Sequence, residues 1–122
     1  MPDALEAVTS SVLTIKQNAA DMRALARERG FAGIHDDMVA RAAFERLLQR
    51  VSDAARAIPE EWRSDRADVG WQRIVDLGDM IAKDYYQLDL RHLWTVFEED
   101  LGPLEAPLDD LAPSHVRRNV SS

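Results

Sequence analysis

Apolar residues recur along this chain at spacings of three and four, the period of an amphipathic α-helix. Leu5, Val8, Val12, Ile15, Ala19, Met22 and Ala26 form a narrow seam that predicts a first helix from Ala4 to Arg29. Such a seam suits lengthwise packing on another helix, inside a bundle or across a dimer. Gly30 and Gly33 are expected to end it, because glycine takes left-handed backbone conformations at little cost. A second helix opens at His35 or Asp36, with Met38, Val39, Ala42, Leu47, Leu48, Val51, Ala55 and Ile58 on its inner face. Pro59 stops it, since proline lacks the amide the next turn needs.

The polar segment from Glu60 to Gly70 reads as a crossover loop in which Trp62 is the one large apolar residue, and Asp68 is placed to cap the next helix. Ile74, Leu77, Ile81 and Tyr85 mark a third long helix; Leu90, Leu93, Trp94, Phe97 and Leu101 mark a fourth, with Asp89 as its N-cap. Tyr85, Tyr86, Gln87 and Leu88 make an aromatic corner between the two. The prolines at 103, 107 and 113 discourage helix, so residues 105–122 read as a loosely ordered tail on a bundle spanning 1–104. Four helices, no strand and mostly short connections predict an all-α, up-and-down four-helix bundle.

At 122 residues, 46% hydrophobic and 30% charged, the chain has the size and balance of one globular domain. It has no apolar run of bilayer length, and its Met-Pro-Asp-Ala start lacks the pattern of a signal peptide, so a cytoplasmic location is expected. The absence of cysteine excludes disulfides and thiolate chemistry. His35, His92 and His115 are far apart and show no ligand spacing, so neither a metal nor another cofactor is expected. Charge changes the picture most. Residues 67–102 carry three basic against eight acidic side chains, which would repel a phosphate backbone and make RNA binding weak. Arg41, Arg46, Arg50 and Arg56, interleaved with Glu45 and Asp53, are the main basic concentration and read as a solvated, ion-paired face.

Trp71, Tyr85, Asp89, Trp94 and the run Glu98-Glu99-Asp100-Leu101-Gly102-Pro103 carry a resemblance to the HepT-like proteins of the HEPN superfamily. Asp37-Met38-Val39, Val51-Ser52-Asp53-Ala54 and Ile58-Pro59-Glu60-Glu61 extend it upstream. The resemblance implies a HEPN-like bundle, a homodimer, and pairing with a minimal nucleotidyltransferase in a toxin–antitoxin module. It also implies metal-independent RNA cleavage by an arginine and a histidine from each subunit, and silencing by transfer of AMP to a tyrosine. That tyrosine corresponds to Tyr85, for which the alternative is a packing role as an amphipathic cap.

The chain departs from the pattern where the family carries Arg-Asn and His: Gly78, Asp79 and Lys83 stand there. Gly78 offers no side chain and Asp79 offers the wrong sign to a phosphate. A lysine, with an ordinary pKa of about 10.4, is a poor base at neutral pH, though it can hold an anion. Asp79 and Lys83 are also spaced for an intrahelical ion pair. Together with the resemblance, these departures imply a non-catalytic partner of a nucleotidyltransferase. Two alternatives stay open: a toxin endoribonuclease with a substituted site, and an unrelated acidic helical interaction domain.

Overall fold

The computed structural model describes residues 4–66, 69–83 and 89–108. It is an all-α bundle of four long helices and one short one: α1 (Ala4–His35), α2 (Met38–Ala57), α3 (Glu60–Ser64), α4 (Trp71–Ala82) and α5 (Leu90–Leu108). α1 packs on α2 and α5, and α4 packs on the same two helices, so the long helices close a ring around one core. No strand occurs among the described residues.

The α1 seam is the heart of that core, with Val8, Val12, Ile15, Ala19 and Met22 fully buried. Gly30 does break the helix, at φ 67° and ψ 175°, but helical structure resumes beyond the kink and runs to His35. That extra turn buries Ile34 and brings Phe31 against Trp94, which gives it a tertiary reason to persist. The second helix consequently starts later than the sequence suggests, with Asp37 as its N-cap. The Asp37 carboxylate accepts from the amides of Val39 (2.9 Å) and Ala40 (3.4 Å) and takes a further contact from Arg29 (3.0 Å).

The inner face of α2 also differs from expectation. Met38 and Val39 are 87% and 78% exposed, and Ala42 is exposed too. The buried stripe is Ala40, Phe44, Leu48, Val51, Ala55 and Ile58, a regular helical phase to which Met38 and Ala42 lie opposite. Phe44 is the centre of an aromatic cluster, stacked on Trp94 at 5.6 Å and edge-on to Phe97 at 5.4 Å.

The crossover contains the short helix α3. Trp62 packs against the core with the Arg66 guanidinium 5.8 Å from its ring centre, and the Trp71 indole donates to the Arg66 carbonyl at 3.0 Å. α4 is capped by Gly70 with no side-chain contribution; Asp68 lies outside the described residues. Asp89 performs as expected, accepting from the Arg91 amide at 2.9 Å. α5 runs through Pro103 to Leu108, past the point where the prolines are expected to end it. Pro103 and Glu99, whose carbonyl loses its helical donor, are both exposed, so water can satisfy the gap. On the opposite side Leu101 and Leu104 are buried and Arg23 of α1 binds Glu105, which hold the last turns in place. The tail beyond Leu108 lies outside the described residues.

The Asp37 cap gives the fold a measurable acid sensitivity. The Ala40 and Val39 amides, with a smaller contribution from Arg29, hold its pKa below the ordinary carboxylate value. A lowered folded-state pKa means the stabilisation is complete above the unfolded value near about 4 and is lost as pH falls through the folded value. Thermal melts should therefore show Asp37→Ala less stable than the native chain at pH 7, with the gap closing below about pH 4.

Candidate functional site

Gly78 and Asp79 sit on the last two turns of α4 and Lys83 is its C-cap, and the three face different surroundings. Gly78 points into the α2–α4 crossing, where it is buried against Ser52. A Cβ built on Gly78 would lie 1.9 Å from Ser52 Oγ and 2.4 Å from Ser52 Cβ, and real atoms do not approach so closely. Ser52 is fully buried, and its hydroxyl donates to the Val75 carbonyl at 3.3 Å, one turn before Gly78. The missing side chain at residue 78 is thus what lets the two helices approach.

Asp79 lies at the rim of the same crossing. Its carboxylate pairs with the Arg56 guanidinium of α2, both side chains being half exposed. The expected intrahelical pair with Lys83 does not form. Arg56, held from the neighbouring helix, takes the carboxylate, whereas Lys83 is the exposed C-cap of α4 and joins Asp79 only through its backbone amide, at 3.1 Å. The hydrogen bond that Arg56 donates to Asp79, and then the Asp79 charge, raise the Arg56 pKa above its already high ordinary value; Asp53 and Asp76 add to the same field. Three carboxylates thus surround Arg56, a setting that disfavours a phosphate. Tyr85, with Tyr86, lies outside the described residues.

Among the described residues no three His, Asp or Glu side chains converge as a metal set, and no helix is long and apolar enough to cross a membrane. His35 stacks on Phe31 and contacts Asp36 at 3.0 Å at the far end of α1, and His92 is exposed on α5. A second charged join, Arg73 of α4 to the buried Asp100 of α5, locks the other end of α4 beside Gly70.

The family model for ribonuclease HepT-like proteins matches residues 15–111. The chain belongs to that family. The HepT-like chain is 25% identical over 85 residues to the probable ribonuclease HepT of Thermococcus cleftensis, covering 70% of this chain and 77% of that protein. It is 22% identical over 102 residues to a candidate RNase of Methanocaldococcus jannaschii, covering 84% and 94%. A candidate RNase of Caldanaerobacter subterraneus is 25% identical over 75 residues, covering 62% and 67%. No solved structure matches at comparable significance. Family membership removes the reading as an unrelated acidic interaction domain.

Two residues that shape the HepT-like site escape a reading by motif. Ser52 lies in no nucleophile motif, and its importance is as the surface on which Gly78 rests. Arg56 reads in the sequence as one charge on a solvated face. The available signal is a small-residue pairing, Ser52 and Ala55 on one helix and Gly78 on the next, which permits close helix approach.

Gly78→Ala should be destabilising by roughly 1–3 kcal/mol from overpacking, less the gain of about 1 kcal/mol for alanine in a helix. Adding Ser52→Gly should recover part of that loss, as read by urea denaturation. In a double-mutant cycle Arg56→Gln and Asp79→Asn should be non-additive, while Lys83→Ala and Asp79→Asn should add.

Proposed function

We propose that this HepT-like chain does not cut RNA and acts, as a cytoplasmic homodimer, as the binding partner of a minimal nucleotidyltransferase in a toxin–antitoxin-type module. The observation that carries this reading is the contact of Gly78 with Ser52. Metal-free cleavage of RNA calls for a cation to steady the charge on the phosphorane and a group to move the proton of the 2′-hydroxyl. At residue 78 the first of these has neither a side chain nor the space for one. At residue 79 a carboxylate engaged by Arg56 replaces a neutral amide, and at residue 83 an ammonium replaces an imidazole. In this reading Tyr85 stands at the position a nucleotidyltransferase would modify with AMP, and the protein's effect comes through binding. The ribonuclease names of the relatives favour a second reading, an endoribonuclease that works with substituted residues.

Purified native protein incubated with RNA in the presence of a chelator should give no cleavage, and its RNA binding should be weak and lost with modest salt. Gly78→Arg with Asp79→Asn and Lys83→His should also stay inactive and lose stability, because the arginine forces α2 from α4. A nucleotidyltransferase encoded beside this gene should co-purify with the chain. Robust cleavage by the native protein, abolished by Lys83→Ala, would establish the enzyme instead.

A further inference from the structure

The outer face of the α1–α2 hairpin holds a groove of 460 Å³, lined on α1 by Asp21, Leu25 and Glu28 and on α2 by Arg46, Leu47 and Arg50. Its α1 rim is acidic, its α2 rim is basic, and its floor is apolar. Leu25 and Leu47 are half-buried against the core and turn their remaining surface to the groove. Ala43, exposed on the same floor, leaves room above it. Val39, 78% exposed, continues this face of α2, since 39, 43, 46 and 50 succeed one another at helical spacings. From Val39 to Arg50 the helix rises about 16 Å, the length of about three turns.

The four rim charges are exposed, and among the described residues none of their side chains makes an ion pair or hydrogen bond. This contrasts with Arg23, Arg29, Arg41, Arg56 and Arg73, each of which binds a carboxylate. Asp21 and Glu28 both precede the break at Gly30, on unbroken helix, and stand about 10.5 Å apart along it; Arg46 and Arg50 stand about 6 Å apart along α2. Rims of opposite sign select the shape and chemistry of what fits between them. A polyanion such as RNA is drawn to the arginines and repelled by the carboxylates. An extended peptide would lay amides and carbonyls on an apolar floor, and no strand edge among the described residues is there to pair them. A helix satisfies its own backbone and offers the floor a stripe of side chains.

We propose that this groove is the docking site for one amphipathic helix of a different protein, basic along one flank and acidic along the other. The apolar stripe of that helix lies on Leu25, Leu47 and Val39. Its basic residues, about two turns apart, meet Asp21 and Glu28, and its acidic residues, about one turn apart, meet Arg46 and Arg50. A helix has a direction, so only one orientation sets each flank against the rim of opposite sign. The apolar floor supplies affinity, and the charges set direction and choose the partner, since exposed ion pairs add little on their own. Docking here is independent of the chemistry at residues 78, 79 and 83.

The probe is a synthetic alanine-based helical peptide of about 18 residues, with leucines at spacings of three and four, lysines on one flank and glutamates on the other. It carries a fluorophore and is titrated with the full chain by fluorescence anisotropy. Two further peptides carry lysine on both flanks or glutamate on both. Salt of about 0.15 M screens the attraction of the chain's net charge of -7 for a cationic peptide beyond about 8 Å, while contacts at the rims persist. The native chain should bind the mixed peptide at least about fivefold more tightly than either of the others. Arg46→Glu with Arg50→Glu makes both rims acidic and should transfer the preference to the peptide with two lysine flanks. Ala43→Glu sets a charge on the floor and should weaken binding of the mixed peptide at least about tenfold. All three side chains are exposed, so the fold survives these changes, which circular dichroism checks. No saturable binding of any peptide up to about 1 mM, equal binding of all three, or a preference that the arginine reversals leave in place would overturn the proposal. Peptide binding that splits an assembly of the native chain, read by sedimentation, would give the groove to a second copy and overturn it as well.

Discussion

The stacking of Phe44 on Trp94 is the contact that fixes the rest of the bundle. Phe44 belongs to α2 and Trp94 to α5, helices that face each other across the ring; Phe44 is fully buried and Trp94, half-buried, packs against the core. Phe97 closes on both rings, and Phe31 meets Trp94 edge-on at 5.6 Å from the turn beyond the Gly30 kink. Aromatic pairs of this kind contribute about 0.5–1.5 kcal/mol each beyond the area they bury. Large side chains at this centre separate α2 from α5 and fill the space between them. α4, which must fit beside both, meets α2 through small residues.

Bulk at the aromatic centre and its absence at the α2–α4 crossing are therefore two aspects of one packing arrangement. At that crossing Gly78 and Ser52 allow the two helices a close approach. The charges around it obey the same structural logic. Arg56 reaches over the rim to Asp79, joining α2 to α4 near one end of α4, while Arg73 joins α4 to α5 near the other.

The sequence makes the architecture legible where one periodicity dominates. The α1 seam from Val8 to Met22 is buried as its spacing requires, and the stripe of Leu90, Leu93 and Leu101 also lies inside. It is less legible where two phases compete: α2 is rich in alanine and leucine on several sides, and only tertiary contact decides that Phe44 points inward while Met38 does not. Prolines mislead at the end of α5 because proline breaks a helix only if the freed carbonyl has nowhere to go, and there it faces water. At the candidate site the identities of residues 78, 79 and 83 are plain. Their partners are not, because Ser52 and Arg56 are brought in by the fold from more than twenty residues away.

The Gly78–Ser52 contact also bears on the paths open to this protein's descendants. A side chain at residue 78 requires first that residue 52 shrink, and a smaller residue 52 by itself opens a void at a tight crossing. Neither change is favourable before the other, so a charged residue 78 is reached only across a valley of less stable intermediates. Once such a contact forms, the order in which substitutions can accumulate is fixed by packing, and a larger side chain becomes hard to introduce there however useful its chemistry.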